Sequence, residues 1–196
     1  MADLIQKHYS GNDAANYVRN RKKNVKWIAE QQFIEDCIAR SDVQTVIDAP
    51  LGTNRFSETI EECDNVTTCI GLELSDDMLA EARENNKSTK LEILKFDITE
   101  TFEHSADLVI SARMLNLVTI DVSLLMFANL LAASDKYCVV TLRTGKKQLV
   151  DGKVHVHPLS RFKKLATASG FVLDSEVIPP TAMVGDYRLM LFRKIK

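Results

Sequence analysis

Three acidic residues each close or directly follow a short apolar run: Val46-Ile47-Asp48, Ile70-Gly71-Leu72-Glu73 and Lys95-Phe96-Asp97. In an open α/β sheet, a carboxylate at the C-terminal end of a strand stands on the rim where such sheets bind ligands. Asp48 leads into Ala49-Pro50-Leu51-Gly52-Thr53-Asn54-Arg55-Phe56, a tight turn with a glycine ahead of a helix. A turn of that kind lets backbone N–H groups approach a ligand and presents a helix N-terminus to it. Glu73 follows one strand-helix-strand step later, where Rossmann-type sites place the acid that accepts ribose hydroxyls in charge-assisted hydrogen bonds. Singly, each residue has a plainer reading. Asp48 can cap the turn after it, Glu73 can be a solvated strand end, and Met78 can be a core residue at helical spacing. Their order and spacing together favour a nucleoside cofactor site.

His155-Val156-His157 places two imidazoles on one face of an extended segment. No acid or cysteine nearby completes a metal set, so no metal is expected and a surface or acceptor-pocket pair is favoured. His155, His157 and Tyr17 are the candidate proton acceptors. His8 and His104 read as solvated. The run Arg19-Asn20-Arg21-Lys22-Lys23-Asn24-Val25-Lys26 could grip phosphate, but a solvated helix face is the commoner explanation. Trp27, the single tryptophan, reads as a packing anchor rather than a base-stacking platform. None of the four cysteines forms a C-x-x-C pair; Cys37 and Cys138 sit in apolar stretches and read as buried, reduced thiols.

These residues need elements to hold them. β-Branched runs at 43–48, 66–74, 91–96, 106–111, 137–143, 171–178 and 188–193 predict seven strands. Amphipathic stretches at 57–63, 76–85, 122–133 and 160–169 predict helices between them. Ser75 is placed to cap the second of these, and Gly170 to stop the last. Val25, Ile28, Ala29, Gln32, Phe33, Asp36 and Cys37 suggest the buried stripe of a further helix within 12–40. Alternation of this kind implies a mostly parallel sheet with helices on both faces. The last two strands are joined too closely for a crossover and should pair as an antiparallel hairpin.

The chain has 196 residues, 45% hydrophobic and 27% charged, which suits one globular domain with a real core. The expected division is a helical lead-in over 1–41 and an α/β core over 42–196. A net charge of -2 and a pI of about 6.1 create no global field for nucleic acid. The sequence has no apolar run of membrane-spanning length and no secretory signal, so a cytoplasmic protein is expected.

The motifs resemble those of class I S-adenosylmethionine-dependent methyltransferases, in particular small bacterial and phage-type members whose first motif reads D-x-P-C-G-T-G-R-F. Gly71-Leu72-Glu73-Leu74-Ser75-Asp76-Asp77-Met78-Leu79 is similar to the family's second motif, and Ala106 to Leu117 to its fourth-strand motif. Tyr17, Arg21, Trp27 and Glu30-Gln31 resemble the group's lead-in helices. The resemblance implies a Rossmann-like methyltransferase fold and S-adenosyl-L-methionine as cofactor. It implies that Asp48 and Gly52, with Ala49, Pro50, Asn54 and Arg55 around them, hold the methionine end. Glu73, beside Leu74, would bind the ribose, and Met78 would pack on the adenine. Asp97 would bond the adenine amino group, with Ile98 donating from its backbone. Ser111 and Arg113 would line the floor between cofactor and acceptor. Tyr17, Arg21, Arg113 and Asn116 would face the acceptor. This sequence departs from the pattern at Asn54, where the family has a glycine, at Leu51, and at Asn116-Leu117, where it has two histidines.

The sequence has no D/N-P-P-Y/F after the fourth strand, no proline-cysteine nucleophile and no evident target-recognition domain. The expected activity is therefore methyl transfer to a small-molecule or other compact acceptor, by a monomer or homodimer. A cofactor-binding but inactive or regulatory protein, an RNA methyltransferase and a nicotinamide-dependent oxidoreductase are the alternatives.

Overall fold

The structure is a computed structural model that describes residues 25–145, 149–151, 154–180 and 185–195. His8, Tyr17, Arg21 and the basic run up to Asn24 lie outside them. The chain divides into two compact units, Met1–Ile98 and Thr99–Lys196.

The first unit contains α1 (Val25–Ile38), β1 (Thr45–Asp48), α2 (Ser57–Glu62), β2 (Thr68–Glu73), α3 (Asp76–Glu84) and β3 (Leu91–Lys95). Its strands run parallel in the order β3-β2-β1. Asp48 lies opposite Gly71, and Glu73 opposite Lys95. Asp48, Glu73 and Asp97 therefore sit at successive strand tips along one rim. Ser75 caps α3, its side chain accepting from the Met78 N–H at 3.4 Å. Asp76 and Asp77 in the first turn and Arg83 in the last suit the helix dipole. Lys90 donates to the carbonyls of Ile60, Glu61 and Cys63 at 2.9–3.2 Å, occupying the orphan acceptors at the end of the short α2.

Helix α1 is rotated from the expected stripe. Trp27, Glu30, Ile34, Cys37 and Ile38 are buried, whereas Val25 is 63% and Ile28 55% exposed. The reason is polar. Glu30 faces inward to an arginine, and Trp27 lies over that same arginine, so an ion pair and a ring set the helix face that apolar periodicity alone misplaces.

The second unit contains β4 (Ala106–Ser111), α4 (Ile120–Ala132), β5 (Ser134–Gly145), β6 (Leu149–Asp151), β7 (Val154–Pro158), α5 (Leu159–Ala168), β8 (Phe171–Val177) and β9 (Asp186–Lys194). β5 pairs parallel with β4 and antiparallel with β9, and β8 and β9 form the antiparallel hairpin that the short connection implies. β6 and β7 are additional to the seven expected strands and form a small antiparallel pair. β9 occupies one edge of β5 along Tyr137–Thr144. β7 therefore joins on the other edge, at Thr144 and Gly145, past the point where β4 ends at Ser111. Phe127 of α4 anchors this core, with its ring 5.5 Å from Phe162 and 5.2 Å from Phe192. Gly170 ends α5 at φ +80°. Cys37, Cys69 and Cys138 are buried free thiols. His104 is exposed. No helix among the described residues is long and apolar enough to cross a membrane.

Candidate active site

The loop after β1 folds across the tip of β2. The Leu51 N–H donates to the Leu72 carbonyl at 2.8 Å, and the Gly52 N–H to Glu73 Oε2 at 2.9 Å. Glu73 Oε1 accepts from the Leu74 and Ser75 N–H groups, each at 2.9 Å. One carboxylate thus fastens the loop, the strand tip and the start of α3. Leu51 drops its side chain onto Gly71: a Cβ there would stand 2.7 Å from Leu51 Cδ2. Gly52 has φ +61°, and a Cβ on it would meet nothing within 4 Å. Open space therefore lies against Gly52, beside the Glu73 carboxylate. The Ala49–Pro50 peptide is cis.

Two carboxyls are buried at this rim. Burial pushes Asp48 up to about 8; the Arg55 charge opposes that rise and the Glu73 charge adds to it. Burial also raises Glu73, against the three N–H donors from Ser75, Gly52 and Leu74, which favour its ionised form.

Asn54 adopts φ +61°, the conformation of the glycine it replaces. Its amide points to α3, donating to the Ala82 carbonyl at 3.1 Å and Asn86 Oδ1 at 3.3 Å. The substitution thus keeps the turn and ties it to the helix end. Arg55 carries its guanidinium 2.5 Å from Glu30 of α1 and 4.4 Å from the ring centroids of both Trp27 and Phe56. Trp27 is indeed a packing anchor. Met78 and Ile98 are buried, Leu74 and Asp97 half-buried. The Phe96 N–H donates to the Glu73 carbonyl at 3.0 Å, which carries the chain past β3 beside Glu73 towards Asp97. Glu30, Leu51 and Gly71 were missed as site-shaping residues. A buried glutamate in an otherwise apolar helix stripe carries no periodic signal.

In the second unit, the segment after β4 and strand β7 hold each other. The His155 N–H donates to the Asn116 carbonyl at 2.8 Å, and His157 Nε2 lies 3.0 Å from the Leu115 carbonyl. Arg113 has φ +64°, and its N–H donates to Thr141 Oγ1 at 2.6 Å. The two imidazoles stack with centroids 5.9 Å apart and 17° between planes, so they do share a face. His157, however, is not at the surface. It is fully buried, with Phe162 5.8 Å away, and burial pulls its pKa below the ordinary value. A neutral ring with Nε2–H donating to Leu115 is the state this environment selects. Ser111 Oγ, Asn116 Oδ1 and His155 Nδ1 are shielded from solvent with no hydrogen-bond partner among the described residues.

Residues 47–132, which include the loop after β1 and the segment after β4, match the family model of the methyltransferase domain. No curated protein matches the sequence. Among solved structures, the chain resembles magnesium protoporphyrin IX methyltransferase from Synechocystis with bound S-adenosylhomocysteine. The TM-score is 0.77 at 12% identity, over 100% of both chains. It also resembles the O-methyltransferase of a polyketide synthase multienzyme from Brevibacillus brevis, in complex with S-adenosyl-L-homocysteine. There the TM-score is 0.72 at 13% identity, over 99% of this chain and 79% of the other. Mitomycin 7-O-methyltransferase gives a TM-score of 0.68 at 17% identity, over 96% of this chain and 60% of the other. The shared fold is the Rossmann-like one of class I methyltransferases.

Proposed function

We propose that this protein is a methyltransferase that binds S-adenosyl-L-methionine at the rim formed by Asp48, Gly52 and Glu73, and transfers its methyl group to a small or otherwise compact acceptor. The observation that carries this reading is the Gly52–Glu73 clasp with open space against Gly52. A carboxylate offers about four lone-pair sites, and three backbone N–H groups use Glu73 here. Room remains for a ribose hydroxyl on a group already fixed in place. Asp48, buried beside the same loop, suits the cationic methionine end, since a nearby positive charge favours its ionised form. Ala49, Pro50 and Asn54 shape the turn; Leu74, Met78, Asp97 and Ile98 receive the adenosine.

When bound, the cofactor supplies an electrophilic methyl group on a sulfonium. The work left to the protein is alignment and exclusion of water. Within the second unit, Ser111, Arg113 and Asn116 stand at or just past the tip of β4, with His155 beside them, and are the residues proposed for the acceptor. Three polar atoms there have no hydrogen-bond partner among the described residues, which suits a polar acceptor, because buried polar groups otherwise find partners. The compact acceptors named for similar structures, magnesium protoporphyrin IX and mitomycin, fit this reading. Incubation with methyl-labelled S-adenosylmethionine and fractionated extracts tests it: label is expected in small molecules, and label confined to RNA overturns the acceptor class.

A further inference from the structure

Glu30 is a carboxylate with no exposed surface on the lead-in helix α1, outside the strand-tip rim. Its partner Arg55 follows Asp48 on the same loop, and Arg55 Nη2 lies 2.5 Å from Glu30 Oε1. Trp27 and Phe56 hold the guanidinium between their rings, each centroid 4.4 Å away. Two rings and a carboxylate thus fix one cation on the α1 side of the loop. We propose that Glu30 is a positioning residue for the cofactor site: it holds Arg55 at α1 and offsets its charge, so that the Asp48 carboxyl stays available to a cationic ligand. The inference rests on the cofactor reading above.

The argument is one of charge balance. Glu30 offsets the Arg55 charge, so a cation brought against Asp48 can displace its proton and meet the carboxylate. Without the Glu30 charge, the Arg55 charge loses its offset, and its field already acts on the Asp48 carboxyl. A guanidinium without that offset, close to Asp48, competes with a sulfonium and an ammonium group for the carboxylate. It has little effect on the neutral adenosine half of the ligand, which Glu73 receives. Helix α1 is then part of the binding site without touching the ligand. Its stacked Trp27, the single tryptophan of the chain, reports on the arrangement directly.

The test compares two named probes on the full chain, using calorimetry and Trp27 fluorescence. S-adenosylmethionine carries the cationic amino-acid end; 5′-methylthioadenosine lacks it. Glu30→Gln is expected to weaken S-adenosylmethionine binding at least tenfold and methylthioadenosine binding less than threefold. The double variant Glu30→Gln with Arg55→Gln is expected to restore S-adenosylmethionine to within about threefold of wild type, since the stranded cation is gone. Equal weakening of both probes, no change in either, or a double variant as weak as the single one overturns the proposal. If Glu30→Gln does not fold, Arg55→Gln alone decides. S-adenosylmethionine affinity kept or raised supports the proposal, and any marked loss overturns it. A wild-type chain that binds neither probe removes the cofactor reading and this inference with it. A wild type that binds both while Glu30→Gln does the same removes this inference alone.

Discussion

Replacing Asp48 by asparagine should make the free protein more stable and its cofactor binding weaker. Burial lifts the Asp48 carboxyl from 3.8 to about 8 in the folded chain. Between those values the folded state holds a proton that the unfolded state has lost. Wild-type stability therefore falls as pH rises through that window, by about 1.4 kcal/mol per pH unit. From pH 5 to pH 7, the wild type should lose on the order of 3 kcal/mol relative to Asp48→Asn, whose amide does not titrate. Urea unfolding at half-unit pH steps, with the slope m checked for constancy, measures the difference. Two stability curves that stay parallel across pH 5–7 would refute the buried-carboxyl account. A second signature follows from ligand binding. A cation against Asp48 favours its ionised form, so binding near pH 6.5 should release about one proton in the wild type and none in the variant. Calorimetry in buffers of different ionisation enthalpy reads that proton.

Other outcomes follow from the same contacts. Gly71→Ala puts a Cβ 2.7 Å from Leu51 Cδ2 and should cost about 1–3 kcal/mol in urea unfolding, with partial recovery in a Gly71→Ala, Leu51→Ala double variant. Asn54→Ala places a Cβ-bearing residue without its amide at φ +61° and leaves the Ala82 carbonyl unpaired. A loss of about 1–3 kcal/mol is expected, with Asn54→Gly losing less. His157 is held neutral by burial, so the unfolded chain takes up a proton first as pH falls below about 6.5. The wild type should lose stability there, and His157→Gln should lack that component of the pH dependence.

Strand-helix alternation was readable because each parallel strand is a short apolar run bounded by turn residues. β4 matches its expected bounds, and the closing hairpin follows from a connection too short for a helix. The rim carboxylates were readable from spacing, since a strand tip every strand-helix unit is a topological regularity. Three things were not. The face of α1 depends on Glu30 pairing with a residue 25 positions away, which no local pattern encodes. β6 and β7 are short, and their polar residues obscure alternation. The role of His157 depends on a carbonyl 42 residues earlier, so spacing alone could not tell a surface imidazole from a buried one.

The most direct measurement is calorimetric titration of S-adenosylhomocysteine into the wild-type chain and into Glu73→Ala, with circular dichroism confirming that the variant is folded. Saturable one-to-one binding to the wild type, weakened at least tenfold in Glu73→Ala, is the expected result. Absence of binding to the wild type, or equal affinity in a folded Glu73→Ala, would contradict the assignment of the Gly52–Glu73 rim to the cofactor.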